Sequence, residues 1–92
     1  MSARDPDPMP HDWPKILEDL AWLQGELEAD GTRRPLSLVR LAEWLQVSRT
    51  VLRNIQDGTE PRYADGVRYL RAWSQLSGKD VAFAPRVARR LA

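Results

Sequence analysis

Four polar side chains between residues 49 and 54 have the types and the spacing to read the edges of nucleic-acid bases. On a helix they share one arc, and the apolar Val51, Leu52 and Ile55 lie on the other, which is predicted to be the buried packing face. Arginine can bond both O6 and N7 of guanine, and asparagine can pair in the same bidentate way with adenine. Thr50 can contact a thymine methyl group or a phosphate, and Arg53 can reach either a base or a phosphate. The pattern predicts a base-reading helix face, against the alternative of an ordinary solvated face, and its members are Arg49, Thr50, Arg53 and Asn54.

Two short helices with a tight turn between them must position this face. Ser37 can cap a helix over about 38–45, and Ser48 can cap the next one over about 48–56. The apolar residues of the earlier helix share a narrow arc, with the small Ala42 where another helix can cross closely. Such a pair lets its second helix lie in the major groove of DNA.

Helical signals continue on both sides of this pair. A first helix is predicted from Asp12-Trp13-Pro14, a capping residue followed by an early proline, to about Glu28. A fourth is predicted over about 64–76, where apolar residues recur mostly three apart, and Pro85 can start a short last helix. Because no alternating strand pattern is present, the expected fold is all-α, a compact domain of four to five helices.

Three segments are predicted along the chain. Residues 1–12, with prolines among charges and the only histidine, His11, read as a disordered leader. Residues 13–78 form the folded domain, and residues 79–92 form a basic and apolar tail. The apolar side chains of the tail either form a dimer surface or fold back on the first helix; they are Val81, Phe83, Val87 and Leu91.

Charge is unevenly distributed along the 92 residues, whose net charge is only +1. Residues 1–31 hold two cations and eight carboxylates, a net of −6, whereas residues 32–92 hold twelve cations and five carboxylates, a net of +7. Eleven of these twelve cations are arginine, the side chain suited to phosphate and guanine. The asymmetry favours a polyanion at the second half, against the alternative of a mixed surface plus an acidic segment.

Composition also excludes several classes of site. The chain has no cysteine, which excludes disulfides, thiolate zinc sites and cysteine nucleophiles. It has neither an apolar run of membrane-spanning length nor the apolar core of a signal peptide, so we expect a soluble, cytoplasmic protein. No acid–base pair, activated nucleophile, phosphate loop or metal cluster is evident, so we expect no enzymatic activity, cofactor or small-molecule ligand.

The run from residue 41 to residue 58 resembles the phage repressor and Cro-like (lambda-repressor-like, XRE-type) helix-turn-helix family. That family tends to show an L-A-x-x-L-G-V-S core, an apolar pair three apart in the recognition helix, and a glycine just after it. The likeness covers about residues 36–78, and the matching positions are Leu41, Ala42, Leu45, Val47, Ser48, Leu52, Ile55 and Gly58.

Three residues depart from the family pattern. Gln46 stands at the turn glycine, and because a left-handed glutamine costs about 1–2 kcal/mol, the turn is predicted either to be strained or to differ slightly from that of the family. Trp44 replaces a residue that is usually polar and is predicted to be partly covered at the edge of the core face. Trp73 replaces a residue of the fourth helix that is usually small, and the small Ala72 stands beside it. This predicts that a large and a small side chain have exchanged places in the local packing.

The resemblance implies a sequence-specific transcriptional regulator, a repressor that binds a palindromic double-stranded DNA operator as a homodimer through the recognition helix 48–56. The helix starts at Ser37 and Ser48 are suited to phosphate oxygens. Arg62 resembles the phosphate-contacting loop of the family. Weaker phosphate candidates, which are alternatively plain surface, are Arg40, Arg33 and Arg34.

A second interpretation makes this chain an antitoxin-like or phage accessory protein whose main partner is another protein. Trp44, the acidic first helix and the nearly neutral overall charge all suit that role. Autoregulatory DNA binding can accompany it.

Overall fold

Four α-helices and a small antiparallel sheet make up residues 11–87, the part of the chain that this computed structural model describes. The predicted, mostly helical domain is confirmed, and it also contains a pair of two-residue strands that the sequence did not predict. In chain order the elements are α1 (Trp13–Leu23), β1 (Glu26–Leu27), β2 (Arg33–Arg34), α2 (Leu38–Leu45), α3 (Arg49–Gln56), α4 (Tyr63–Ser77) and a 3-10 turn (Val81–Phe83).

Helix α1 begins as predicted and ends earlier than predicted. The Asp12 carboxylate accepts a hydrogen bond from the Lys15 N–H at 3.2 Å, which satisfies one of the free N–H groups of the first turn. The helix stops at Leu23 rather than near Glu28, because the chain turns at Gly25 to meet β2. A Cβ at Gly25 would overlap the Arg34 carbonyl oxygen, so only glycine permits this approach without movement.

A β-hairpin stands where a helix end and a basic loop were predicted. Glu26 pairs with Arg34 and Leu27 with Arg33. In the connecting loop Asp30 accepts hydrogen bonds from both the N–H and the hydroxyl of Thr32, at 3.0 and 2.6 Å. These bonds hold the pKa of the Asp30 carboxyl below its ordinary value, because they favour the ionised form.

The core forms where α1 packs against α4 and α3, and where α2 packs against α3. Between α1 and α4, the buried Trp73 donates its indole N–H to the Asp19 carboxylate at 3.1 Å. Asp19 also pairs with Lys15 at 3.1 Å, and this hydrogen-bonded carboxylate raises the pKa of Lys15. The largest fully buried side chains are Tyr69, Ile16, Leu17, Leu20, Leu52, Ile55 and Leu70.

The two ends of the described chain lie side by side. The Asp12 N–H donates to the Pro85 carbonyl at 2.9 Å, and His11 forms an antiparallel bridge with Arg86. His11 is buried, with its ring 5.5 Å from that of Trp13, so the end of the predicted leader belongs to the packed structure. The rest of that leader, residues 1–10, lies outside the described residues.

The beginning of the tail folds back onto the domain, but its 3-10 turn packs mainly against α4 and not against the first helix, the partner predicted in one of the two alternatives. Val81 packs against the core and Ala84 is buried, whereas Phe83 and Val87 are exposed. Pro85 lies in an extended stretch rather than at a helix start. Leu91 and its neighbours in 88–92 fall outside the described residues. No helix within 11–87 is long and apolar enough to cross a membrane.

Candidate nucleic-acid interface

The turn between α2 and α3 contains a left-handed residue. Gln46 has φ 59° and ψ 45°, and it is the only non-glycine residue with positive φ among the described residues. Its N–H donates to the Glu43 carbonyl at 3.2 Å, and the Val47 N–H donates to the Ala42 carbonyl at 3.0 Å. These bonds close α2 in the way that a left-handed glycine normally does. The strain predicted for this turn would come from the left-handed backbone of Gln46, because this residue has a side chain.

Arg68 of α4 holds the same turn from outside. Its guanidinium donates one hydrogen bond to the Leu45 carbonyl at 2.9 Å and another to the Asp65 carboxylate at 3.2 Å. Sequence reasoning missed this contact, although Asp65 three residues before Arg68 signals an ion pair on one helix face. Nothing in the sequence indicates the bond to Leu45, because 23 residues separate the two positions.

Helix α3 is capped at its start and buried along one side. The Ser48 hydroxyl accepts a hydrogen bond from the Val51 N–H at 3.1 Å. Leu52 and Ile55 are fully buried, as predicted. Val51 is 38% exposed, and its assignment to the packing face is wrong, because α1 and α2 cover only the side of α3 that carries the other two.

The four side chains predicted to read bases are all on the solvent side of α3. Arg49, Thr50, Arg53 and Asn54 are exposed, and within residues 11–87 no hydrogen bond or ion pair engages any of their side chains. The structure therefore brings the predicted set together on one helix face. Two arginines with five donors each, an amide and a hydroxyl are free to bond an external partner.

The residues predicted to contact phosphate differ in their present engagements. The Ser37 and Ser48 hydroxyls accept capping bonds from the Arg40 and Val51 N–H groups, and each keeps its own O–H to donate. Arg62 directly precedes α4 and is exposed, with no ion pair to another described residue.

The three weaker phosphate candidates lie on the hairpin and at the start of α2. Arg34 pairs with Glu28 at 3.0 Å, and Arg40 pairs with Glu26 at 3.8 Å. Arg33 is exposed and has no such pair within the described residues. Both ion pairs are solvent-exposed, so each contributes at most about 1 kcal/mol to the stability of the fold. Each arginine can therefore leave its carboxylate partner and bind another anion.

Trp44 of α2 is only partly covered, as the sequence predicts. Its side chain is 37% exposed and lines an open groove of about 390 Å³ together with Gln24, Leu36 and Arg40. The end of α1 and the hairpin thus give Trp44 partial cover.

Comparison with known proteins adds no further assignment. No family model, no curated protein and no solved structure matches this chain. Among residues 11–87 no group of histidine, aspartate and glutamate side chains is arranged to hold a metal ion.

Proposed function

We propose that this chain is a sequence-specific DNA-binding protein of the lambda-repressor-like helix-turn-helix type, with α3 as its recognition helix. One observation carries the proposal: α3 presents Arg49, Thr50, Arg53 and Asn54 to solvent without internal partners. Caps at the helix start and buried apolar residues on the opposite side make the helix a fixed platform. Rigid placement matters, because hydrogen bonds to base edges require donor–acceptor distances of about 2.7–3.2 Å.

The proposed division of labour separates base contacts from phosphate contacts. Arg49 and Asn54 read guanine and adenine, Thr50 contacts a thymine methyl group or a phosphate, and Arg53 reaches a base or a phosphate. Arg62, Arg40 and the helix starts at Ser37 and Ser48 bind phosphates. Phosphate contacts set the affinity for any duplex, whereas base contacts set the preference among duplexes.

Single modules of this type bind DNA as two-fold dimers over half-sites about 10–10.5 base pairs apart. We propose a cytoplasmic homodimer on a palindromic operator, acting as a transcriptional repressor. Light scattering at high micromolar concentration, with and without operator DNA, tests the assembly. A monomer under both conditions would contradict it.

The primary experiment selects bound duplexes from a random pool and then compares two alanine variants on the selected site and on random DNA. Arg49→Ala is expected to weaken binding to the selected site by about 1–3 kcal/mol and to relax the preference at one base pair. Arg62→Ala is expected to weaken all duplexes alike and to flatten the dependence of log K on log salt by about 0.9. Equal losses on both duplexes from Arg49→Ala would refute base reading by that residue.

A second candidate function is binding to another protein, with or without autoregulatory DNA binding. The observation that favours it is the exposure of two tryptophans, Trp44 at 37% and Trp22 at 44%. Large exposed aromatic side chains commonly mark interaction surfaces. Selection from random duplexes separates the two functions, because a protein-binding module without DNA function yields no preferred site.

A further inference from the structure

The side chain of Arg68 connects α4 to the last residue of α2. Its Nη1 donates to the Leu45 carbonyl at 2.9 Å, and its Nη2 donates to Asp65 Oδ1 at 3.2 Å. The guanidinium carbon also lies 5.9 Å from the centre of the Tyr69 ring, which is fully buried. Because the guanidinium is planar and is held by the carboxylate beside it, its bond to Leu45 has a fixed direction.

The carbonyl that Arg68 holds belongs to the peptide unit immediately before the left-handed Gln46. The last four carbonyls of a helix lack intrahelical partners, and a cation at this end also interacts favourably with the helix dipole. The backbone conformation at Gln46 is unfavourable for a residue with a side chain, so the turn needs external stabilisation. The Arg68 guanidinium, which donates to the Leu45 carbonyl, supplies this stabilisation by fixing the plane of that peptide unit.

Helix α3 begins only three residues after Gln46, so the peptide plane at Leu45 contributes to the direction in which the chain enters α3. We propose that Arg68 is a positioning residue for sequence recognition, which orients α3 through the Leu45 carbonyl without itself contacting DNA. This inference rests on the proposed function of α3 as the recognition helix. A small rotation of α3 breaks base-edge hydrogen bonds while leaving attraction to phosphates nearly intact.

The test compares binding of the full chain to its selected duplex and to a random duplex. Arg68→Met keeps the apolar stem and removes the donors, and it is expected to lower the ratio of the two affinities by about tenfold, the effect of losing one good base contact. Arg68→Lys keeps the charge with a single-point donor and is expected to give an intermediate ratio.

Two controls separate positioning from loss of charge. Lys79→Met removes the same charge from the loop after α4 and is expected to leave the ratio unchanged. Asp65→Asn keeps the bond from Arg68 to Leu45 and is expected to change the ratio less than Arg68→Met does. Circular dichroism verifies that each variant is folded, and Arg68→Lys carries the comparison if Arg68→Met does not fold.

A second measurement needs no DNA. Hydrogen exchange of the Val47 N–H, which bonds to Ala42 across the turn, is expected to accelerate in Arg68→Met relative to the Gly78 N–H at the end of α4. Unchanged exchange at Val47, or equal weakening of both duplexes by Arg68→Met and Lys79→Met, overturns the positioning role and leaves the proposed function standing. A wild-type chain with no preferred duplex overturns both.

Discussion

Replacing Gln46 by glycine directly tests the strain in the turn that precedes α3. Gln46 is left-handed and its side chain is exposed, so the substitution removes the steric cost without opening a cavity. That cost is about 1–2 kcal/mol for a residue with a Cβ. Glycine loses more backbone freedom on folding, which offsets about 0.4–1 kcal/mol of the gain. Gln46→Gly is therefore expected to raise the free energy of unfolding by about 0.5–1 kcal/mol.

Urea unfolding followed by tryptophan fluorescence measures this change. For a small domain with a denaturant slope of about 1–1.5 kcal/mol/M, the gain moves the midpoint upward by about 0.3–1 M. The melting temperature is expected to rise by about 2–8 °C. Gln46→Ala is the matched control, because it shortens the side chain and keeps the left-handed cost, and it is expected to leave the midpoint nearly unchanged.

A lower midpoint for Gln46→Gly would refute the reasoning, since it would mean that this position is not left-handed in solution or that its side chain stabilises the turn. An equal rise in Gln46→Ala would show that removal of the side chain, rather than relief of the backbone, caused the gain.

Three further substitutions test other parts of the fold. Gly25→Ala is expected to destabilise by about 1–3 kcal/mol, because its Cβ overlaps the Arg34 carbonyl oxygen; an unchanged urea midpoint would contradict the close approach of the hairpin. Ser48→Ala is expected to lower the free energy of unfolding by about 1 kcal/mol through loss of the α3 cap, and no loss would show that the cap is not formed in solution. Burial, with a smaller contribution from Asp65, raises the pKa of the Tyr69 phenol in the folded protein. The neutral phenol therefore contributes stability that is fully present below the pKa of unfolded tyrosine, about 10, and is lost as pH rises through the pKa of the folded state. Tyr69→Phe is thus expected to flatten the alkaline loss of stability while Tyr63→Phe, at an exposed position, does not, and identical alkaline profiles for the two variants would argue against the burial effect.

Local patterns in the sequence were sufficient to predict the parts of the candidate site that depend on near neighbours. The caps at Ser37 and Ser48 form the predicted bonds, because a hydroxyl reaches an N–H three residues later whatever surrounds it. Helical periodicity likewise separates the buried Leu52 and Ile55 from the four exposed side chains of α3 that are predicted to read bases. Val51 was assigned wrongly because periodicity does not reveal how much of a helix its neighbours cover.

Contacts between distant segments decided the rest. Leu27 continues the apolar spacing of α1 and still lies exposed in a strand, because a backbone crossing at Gly25 ends the helix early. His11 is buried against the chain near Pro85, more than 70 residues later. The hydrogen bond from Arg68 to the Leu45 carbonyl also joins segments that are distant in the sequence, 23 residues apart. The sequence by itself determined which face of α3 is polar and where the helix starts, since both depend on residues within one or two turns. Only the tertiary structure decided how the turn before α3 is held and where the hairpin arginines find partners, because those contacts exist only once separate segments have packed together.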